Sequence, residues 1–163
     1  TQKGEEPLLY PYDISQTALP EIDVALENGY TKEEQKMINE TRKILHQPDL
    51  PVSATCVRVP IETGHGVSIA VELEKDFTLA EVRQCLQNFS GIKVIDDLPA
   101  HRYPTSILAK GTDEVYVGRI RQDMASENGL LLYTVADNIR KGAAANAVQI
   151  AKALLTEMTE GQE

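Results

Sequence analysis

The chain has 163 residues and a formal net charge of −9, from 25 acidic and 16 basic side chains. At 42% hydrophobic and 25% charged it has the composition of one soluble domain of ordinary size with a real core. The acidic balance speaks against a nucleic-acid partner, because phosphate contacts require clustered Lys and Arg. No apolar run approaches the ~20 residues that span a bilayer, and no charged segment precedes an apolar stretch as in a signal peptide. The expectation is a cytoplasmic protein with no membrane partner. Cys56 and Cys85 are too few for a disulfide framework. His46, His65 and His101 are scattered, so no metal site is expected. The chain opens on Thr1 instead of Met, which fits a fragment or a processed product.

Residues 1–18 read as an irregular arm with apolar anchors at Leu8, Leu9 and Tyr10. The first helix is predicted over 31–47, where Thr31 and Glu34 make a capping box. Met37, Ile38, Ile44 and Leu45 share its inner face at ~100° per residue. Pro48 and Pro51 end it. VSATCVRV, 52–59, reads as a strand, and VSIAVELE, 67–74, as a second one rich in β-branched residues. A second capping box, Thr78 with Glu81, opens a helix over 78–89 in which Leu79, Val82, Cys85 and Leu86 face the core. Strands are expected at IKVIDD (92–97), SILAKG (106–111), EVYVGRIRQD and GLLLYTVAD (129–137). A last helix covers 141–158, its first turns built from Gly, Ala and Asn. This order predicts an α+β fold, with a mostly antiparallel or mixed sheet and helices on one face.

Cys56 and His65 lie close in sequence and invite a nucleophile–base reading. A reactive thiol needs a helix N-terminus or an adjacent cation to lower its pKa. Cys56 instead sits inside the predicted strand, where alternation pairs it with Arg58 on one face and sets Val57 and Val59 on the other. It reads as a packed thiol. Arg58 suits bidentate grip of a carboxylate. His65, between Gly64 and Gly66, suits proton transfer near neutral pH. Extended chain would separate the two by ~23 Å, so their cooperation requires a turn through Pro60–Gly64. The plain alternative is a loop histidine and a surface arginine. Glu33 and Lys36 make an i,i+3 pair of the kind that usually only supports a helix.

Four separated stretches carry a resemblance: YTKEEQKMINETRKIL, VSATCVRVPIETGHG, VYVGRIRQD and DNIRKGAAANAVQIA. In that order, over about residues 19–157, the chain resembles the C-terminal portion of the aspartate-semialdehyde dehydrogenases. The resemblance implies an NADP-dependent oxidoreductase that converts β-aspartyl phosphate to aspartate semialdehyde in amino-acid biosynthesis. It implies a fold similar to the C-terminal domain of glyceraldehyde-3-phosphate dehydrogenase. Residues 19–137 would form the dimerisation and substrate domain, and 138–163 a helix that packs back on a Rossmann domain. The assembly would be a homodimer or a tetramer.

Carried over residue by residue, the family's substrate-carboxylate arginine falls on Arg58 and its acid/base histidine on His65. The family's helical Glu and Lys, beside the substrate's amino and phosphate groups, fall on Glu33 and Lys36. Its approach to the nicotinamide end of NADP falls on Asn138, with Asp137 before it and Gly142 after. The family's dinucleotide turn and its Ser-x-Asn-Cys nucleophile motif have no counterpart in these 163 residues. The chain by itself is therefore expected to be inactive and to bind NADP weakly. A free-standing small-molecule-binding or dimerisation module of the same scaffold is the alternative.

Overall fold

Both Thr-x-x-Glu spacings begin helices in the computed structural model, which describes residues 9–160. Helix α1 is Lys32–Ile44; the Thr31 hydroxyl accepts the Glu34 N–H, and the Glu34 carboxylate accepts the Thr31 N–H. Helix α2, Leu79–Asn88, repeats the arrangement with Thr78 and Glu81. Each box satisfies two backbone donors that the helix itself leaves open.

The chain divides into two compact units, Thr1–Pro60 and Ile61–Glu163. In the first, α1 buries Ile38, while Met37, Ile44 and Leu45 are exposed, so the predicted apolar face is only partly used. Of the anchors expected in the arm, Leu9 is overturned. Leu9 is exposed, Tyr10 is half-buried, and Leu8 lies outside the described residues.

Residues 52–59 do not form the predicted strand. The segment keeps its alternation, with Val52, Ala54, Cys56 and Arg58 half-buried and Val57 and Val59 exposed. Among the described residues it has no ladder and one antiparallel bridge, between Arg58 and Leu19, made by two backbone hydrogen bonds of 2.8 and 2.9 Å. Alternation reports which side is covered; a strand also needs a partner edge along its length.

The second unit is built on a four-stranded mixed sheet in the order β1-β4-β3-β2. Its strands are β1 His65–Glu72, β2 Ile92–Val94, β3 Val115–Gln122 and β4 Gly129–Ala136. β4 lies antiparallel to both β1 and β3, and β2 runs parallel to β3. The α+β architecture holds, with β2 shorter than the 92–97 expected.

SILAKG is not a strand. Ser106–Ala109 forms a single helical turn, α3, because the Thr105 hydroxyl caps it through the Leu108 N–H. Local capping overrides the β propensity of Ile107.

Helix α2 lays Leu79, Val82 and Leu86 over one sheet face, on the buried cluster Val117, Ile120 and Leu130. Cys85 is exposed, contrary to its expected place in that core. Only three of the four apolar positions are needed to cover the strands, and the thiol falls on the flank of the stripe. On the other face, α3 contributes Ala109 to a smaller cluster with Tyr116 and Val135.

A bulge interrupts β3 between Gly118 and Arg121, with Arg119 at φ +55°. The Arg83 guanidinium secures it. Arg83 binds the Asp96 carboxylate at 2.9 and 3.2 Å and the Ile120 carbonyl at 2.9 Å. Asp96 in turn accepts the Ile120 N–H at 3.3 Å. The bulge's freed backbone groups are thus paired by side chains.

After β4, residues Arg140–Ala144 form a π-helical turn that continues into α4, Ala145–Glu160. The Lys141 and Gly142 N–H groups both reach back to the Asp137 carbonyl, at 2.9 and 3.3 Å. α4 exposes Val148, Ile150, Leu154, Leu155 and Met158.

Candidate active site

In the first unit, α1 presents Glu33 and Lys36 one turn apart, their charges 3.4 Å from each other. Lys36 is exposed and Glu33 half-buried. Arg58 projects from the extended segment, half-buried, with its guanidinium carbon 5.1 Å from the centre of the Tyr10 ring. That is cation–π distance. No carboxylate among the described residues forms an ion pair with it. A half-buried guanidinium stacked on an aromatic face, with no acceptor for its fork among the described residues, is suited to an incoming carboxylate.

Cys56 shares this unit. Burial pushes its thiol up, and the nearby Glu34 and Glu33 carboxylates push it further, against a smaller opposing effect of Lys36. Each of the raising effects disfavours the thiolate. Cys56 therefore has the environment of a resting thiol.

In the second unit, His65 is the first residue of β1 and is exposed. It pairs in register with Ala136, the last residue of β4. Asn138 follows two residues later, and its Oδ1 accepts the Gly64 N–H at 2.9 Å and the Thr63 hydroxyl at 3.4 Å. The sheet thus brings together His65 and Asn138, which lie far apart in sequence.

Asp137, between them, is buried. Its Oδ2 accepts the Gly111 N–H at 2.8 Å, and its Oδ1 accepts the N–H groups of Ile139 and Arg140 at 2.9 and 3.1 Å. Those backbone donors, Gly111 first, hold its pKa below the ordinary carboxylate value. Gly142 is exposed, and a Cβ there would meet only the Asn138 Cβ, at 3.9 Å. The surface above the turn is open.

Three features of the structure escaped the sequence reading. Glu34 does more than cap α1, since its Oε1 accepts the Cys56 N–H at 2.9 Å. Arg83 and Asp96 were not singled out, although they hold the bulge. The contact between Asn138 and Gly64 spans 74 positions, and no local pattern signals it. The two glycines around His65 were the available clue. Gly64 has φ +90°, a left-handed conformation that favours glycine.

A shallow pocket of about 470 Å³ opens on the α3 side of the sheet, lined by Ser68, Tyr103, Ser106, Arg119, Arg121 and Tyr133 among others. It holds none of the residues singled out as catalytic or cofactor-binding. Neither arginine forms an ion pair among the described residues.

The profile of the family "Semialdehyde dehydrogenase, dimerisation domain" matches residues 2–141. An aspartate-semialdehyde dehydrogenase of Aquifex aeolicus is 55% identical over 148 residues, 91% of this chain and 44% of the relative. That of Bacillus subtilis is 49% identical over 144 residues, covering 88% and 42%. Among solved structures, aspartate semialdehyde dehydrogenase II of Vibrio cholerae, complexed with ASA, superposes with a TM-score of 0.87 at 41% identity, covering 93% of this chain and 45% of that one. The chain spans less than half the length of each of these relatives. With a profile match over most of its residues and a sheet that superposes on a solved relative, the chain belongs to the semialdehyde dehydrogenase dimerisation-domain family.

Proposed function

We propose that this chain supplies the substrate-binding and acid/base part of an NADP-dependent aspartate-semialdehyde dehydrogenase. The observation that carries the reading is Arg58: a half-buried guanidinium with no carboxylate partner among the described residues. A carboxylate is what such a group binds best, and the substrate of these enzymes bears one. Arg58 grips it with two parallel hydrogen bonds. Glu33 meets the substrate ammonium, and Lys36 the phosphate. His65 takes and returns the proton as the reacting carbonyl carbon is attacked and released.

The turn after β4 fits a cofactor. Oδ1 of Asn138 is engaged by Gly64 and Thr63, its amide nitrogen makes no hydrogen bond among the described residues, and Gly142 leaves the adjacent surface open. Asn138 and Gly142 would hold the nicotinamide end of NADP, which supplies or accepts the hydride. Cys56 is not the nucleophile, because its surroundings disfavour the thiolate. The covalent step belongs to a cysteine supplied with an NADP-binding domain, so the 163 residues alone do not turn over.

We place the enzyme in the cytoplasm, as a homodimer. The family is one of dimerisation domains, and the sheet face opposite α2 offers the second copy its Arg119–Arg121 pocket and the half-buried Tyr133. With a net charge of −9, carboxylates for the two arginines are plentiful on a second copy.

Steady-state kinetics in the two-domain enzyme test the reading. Arg58→Lys loses bidentate geometry and is expected to raise KM for aspartate semialdehyde, leaving KM for NADP near its starting value. His65→Gln is expected to lower kcat by about 10²–10⁴-fold. Turnover unchanged in both variants, or turnover by the 163-residue chain alone, overturns it.

A further inference from the structure

The approach of Asn138 to Gly64 has a consequence for His65. Gly64 immediately precedes the histidine, and its backbone is held from two sides. The Asn138 Oδ1 accepts its N–H at 2.9 Å, and a Cβ on Gly64 would lie 3.0 Å from the Ala136 carbonyl oxygen. With φ at +90°, the turn into β1 exists only while the backbone stays in a region that L side chains rarely adopt.

The Asn138 end is equally fixed. Asp137 is buried and accepts three backbone N–H groups, from Gly111, Ile139 and Arg140. The π-turn closes on the Asp137 carbonyl through Lys141 and Gly142. Arg140 is tied further to Asp113 at 2.6 Å. The turn that carries Asn138 is therefore pinned independently of Gly64.

The donor at Gly64 is a backbone N–H, so the Asn138 atom facing it must be the carbonyl oxygen. This fixes which way the carboxamide points. One oxygen receives both Gly64 and Thr63. One side chain thus links the turn after β4 to the start of β1, where His65 stands.

We propose that Asn138 is a positioning residue for His65: its carbonyl oxygen holds the Thr63–Gly64 backbone in place and so fixes where the imidazole emerges from the sheet. The role is separate from any contact Asn138 makes with a cofactor. It rests on the proposed acid/base role of His65 for its consequence in catalysis, but not for its structural content. The same link keeps the acid/base histidine in fixed register with the turn assigned to the hydride carrier. A proton-transfer group displaced by about 1 Å loses about 10²-fold in rate.

The test is carried out on the two-domain enzyme with Asn138→Ala and Asn138→Asp. Asn138→Asp keeps the oxygen acceptor, and Asn138→Ala removes it. Hydrogen exchange over the peptide Thr63–Gly66, read by mass spectrometry, is expected to quicken at least tenfold in Asn138→Ala and to return toward the original rate in Asn138→Asp. On the same preparations at saturating NADP, Asn138→Ala is expected to lower kcat at least tenfold with KM for aspartate semialdehyde within about twofold; Asn138→Asp, which keeps the acceptor but loses the amide N–H assigned to the cofactor, is expected to recover most of kcat while KM for NADP stays raised.

Unchanged exchange in Asn138→Ala overturns the proposal. Quickened exchange with unchanged kcat overturns its catalytic half. If Asn138→Ala does not fold, Asn138→Ser, whose shorter side chain withdraws the acceptor from Gly64, carries the same comparison. Failure of the proposed function reads differently: His65→Gln would then retain full turnover, while the exchange result at Gly64 would stand.

Discussion

The Glu34 carboxylate binds the Cys56 N–H at 2.9 Å through Oε1 and the Thr31 N–H at 2.8 Å through Oε2. One side chain thus starts α1 and holds the extended segment that carries Arg58. Glu33 and Lys36 stand on the helix that Glu34 caps, so one residue ties the element carrying two of the proposed substrate contacts to the segment carrying the third. Glu34 is buried, and its pKa is lowered, first by the Thr31 N–H and then by the Cys56 N–H.

This gives a pH dependence of defined sign. A carboxyl group with a folded pKa below its unfolded value of 4.5 stabilises the fold fully above that value. The contribution is lost as pH falls through the folded pKa. Thermal unfolding of the wild type is expected to fall more steeply below pH 4.5 than that of Glu34→Gln. Equal slopes for the two would reject Glu34 as the clamp. Thr31→Ala, which removes the hydroxyl half of the box, is expected to cost about 1 kcal/mol.

The cysteines should separate by reactivity. Cys85 is exposed on the flank of α2 and Cys56 is half-buried beside Glu34 and Glu33. Iodoacetamide at pH 8 is expected to label Cys85 first and Cys56 many-fold more slowly. Cys56→Ser should leave turnover in the two-domain enzyme within about twofold. Preferential labelling of Cys56, or loss of turnover in Cys56→Ser, would return that thiol to consideration as a nucleophile.

Gly118 and Gly142 are predicted to behave oppositely. A Cβ at Gly118 would lie 2.1 Å from the Ile95 carbonyl oxygen and 2.6 Å from Pro104. The obstacle is backbone and a proline ring, which give little. Gly118→Ala is expected to destabilise by about 1–3 kcal/mol. Gly142→Ala meets only the Asn138 Cβ at 3.9 Å and should leave the unfolding midpoint nearly unchanged. If Gly142 serves cofactor approach, its variant raises KM for NADP instead. Denaturant unfolding of both, with KM for NADP measured beside it, separates packing from binding.

The open face of the sheet makes its own prediction. Arg121→Glu places a carboxylate in the Arg119–Arg121 pocket of an already acidic chain. If the second copy docks on this face, the substitution should shift the assembly toward monomer in sedimentation velocity, more strongly at low salt. Arg102→Glu, which removes only an exposed ion pair with Asp97, is the control. An unaltered dimer in Arg121→Glu would move the interface elsewhere.

Much of the scaffold was legible because it depends on neighbours in sequence. Both capping boxes follow from a Thr and a Glu three positions apart. β1, β3 and β4 follow from β-branched and aromatic runs. The expected role of Arg58 and His65 came from four separated motifs and not from periodicity, which left both open to a plain surface reading.

The misreadings have a common cause. Residues 52–59 alternate like a strand yet meet no partner edge along their length among the described residues. Residues 106–109 have strand-forming side chains, but Thr105 caps them into a turn. Cys85 falls at an apolar helical position, and the sheet below is already covered by Leu79, Val82 and Leu86. In each case the sequence records a propensity, and the outcome depends on what lies opposite.

By itself the sequence determined the α+β class, the helix starts, the main strands and the family, because each is written in local spacing or in motifs kept in order. Only the tertiary structure decided that Glu34 reaches Cys56 across 22 positions, that Asn138 reaches Gly64 across 74, and that Arg58 has no carboxylate partner among the described residues. Those facts rest on hydrogen bonds, or their absence, between groups that meet only after the chain has folded back on itself. No pattern confined to a few consecutive residues can encode them.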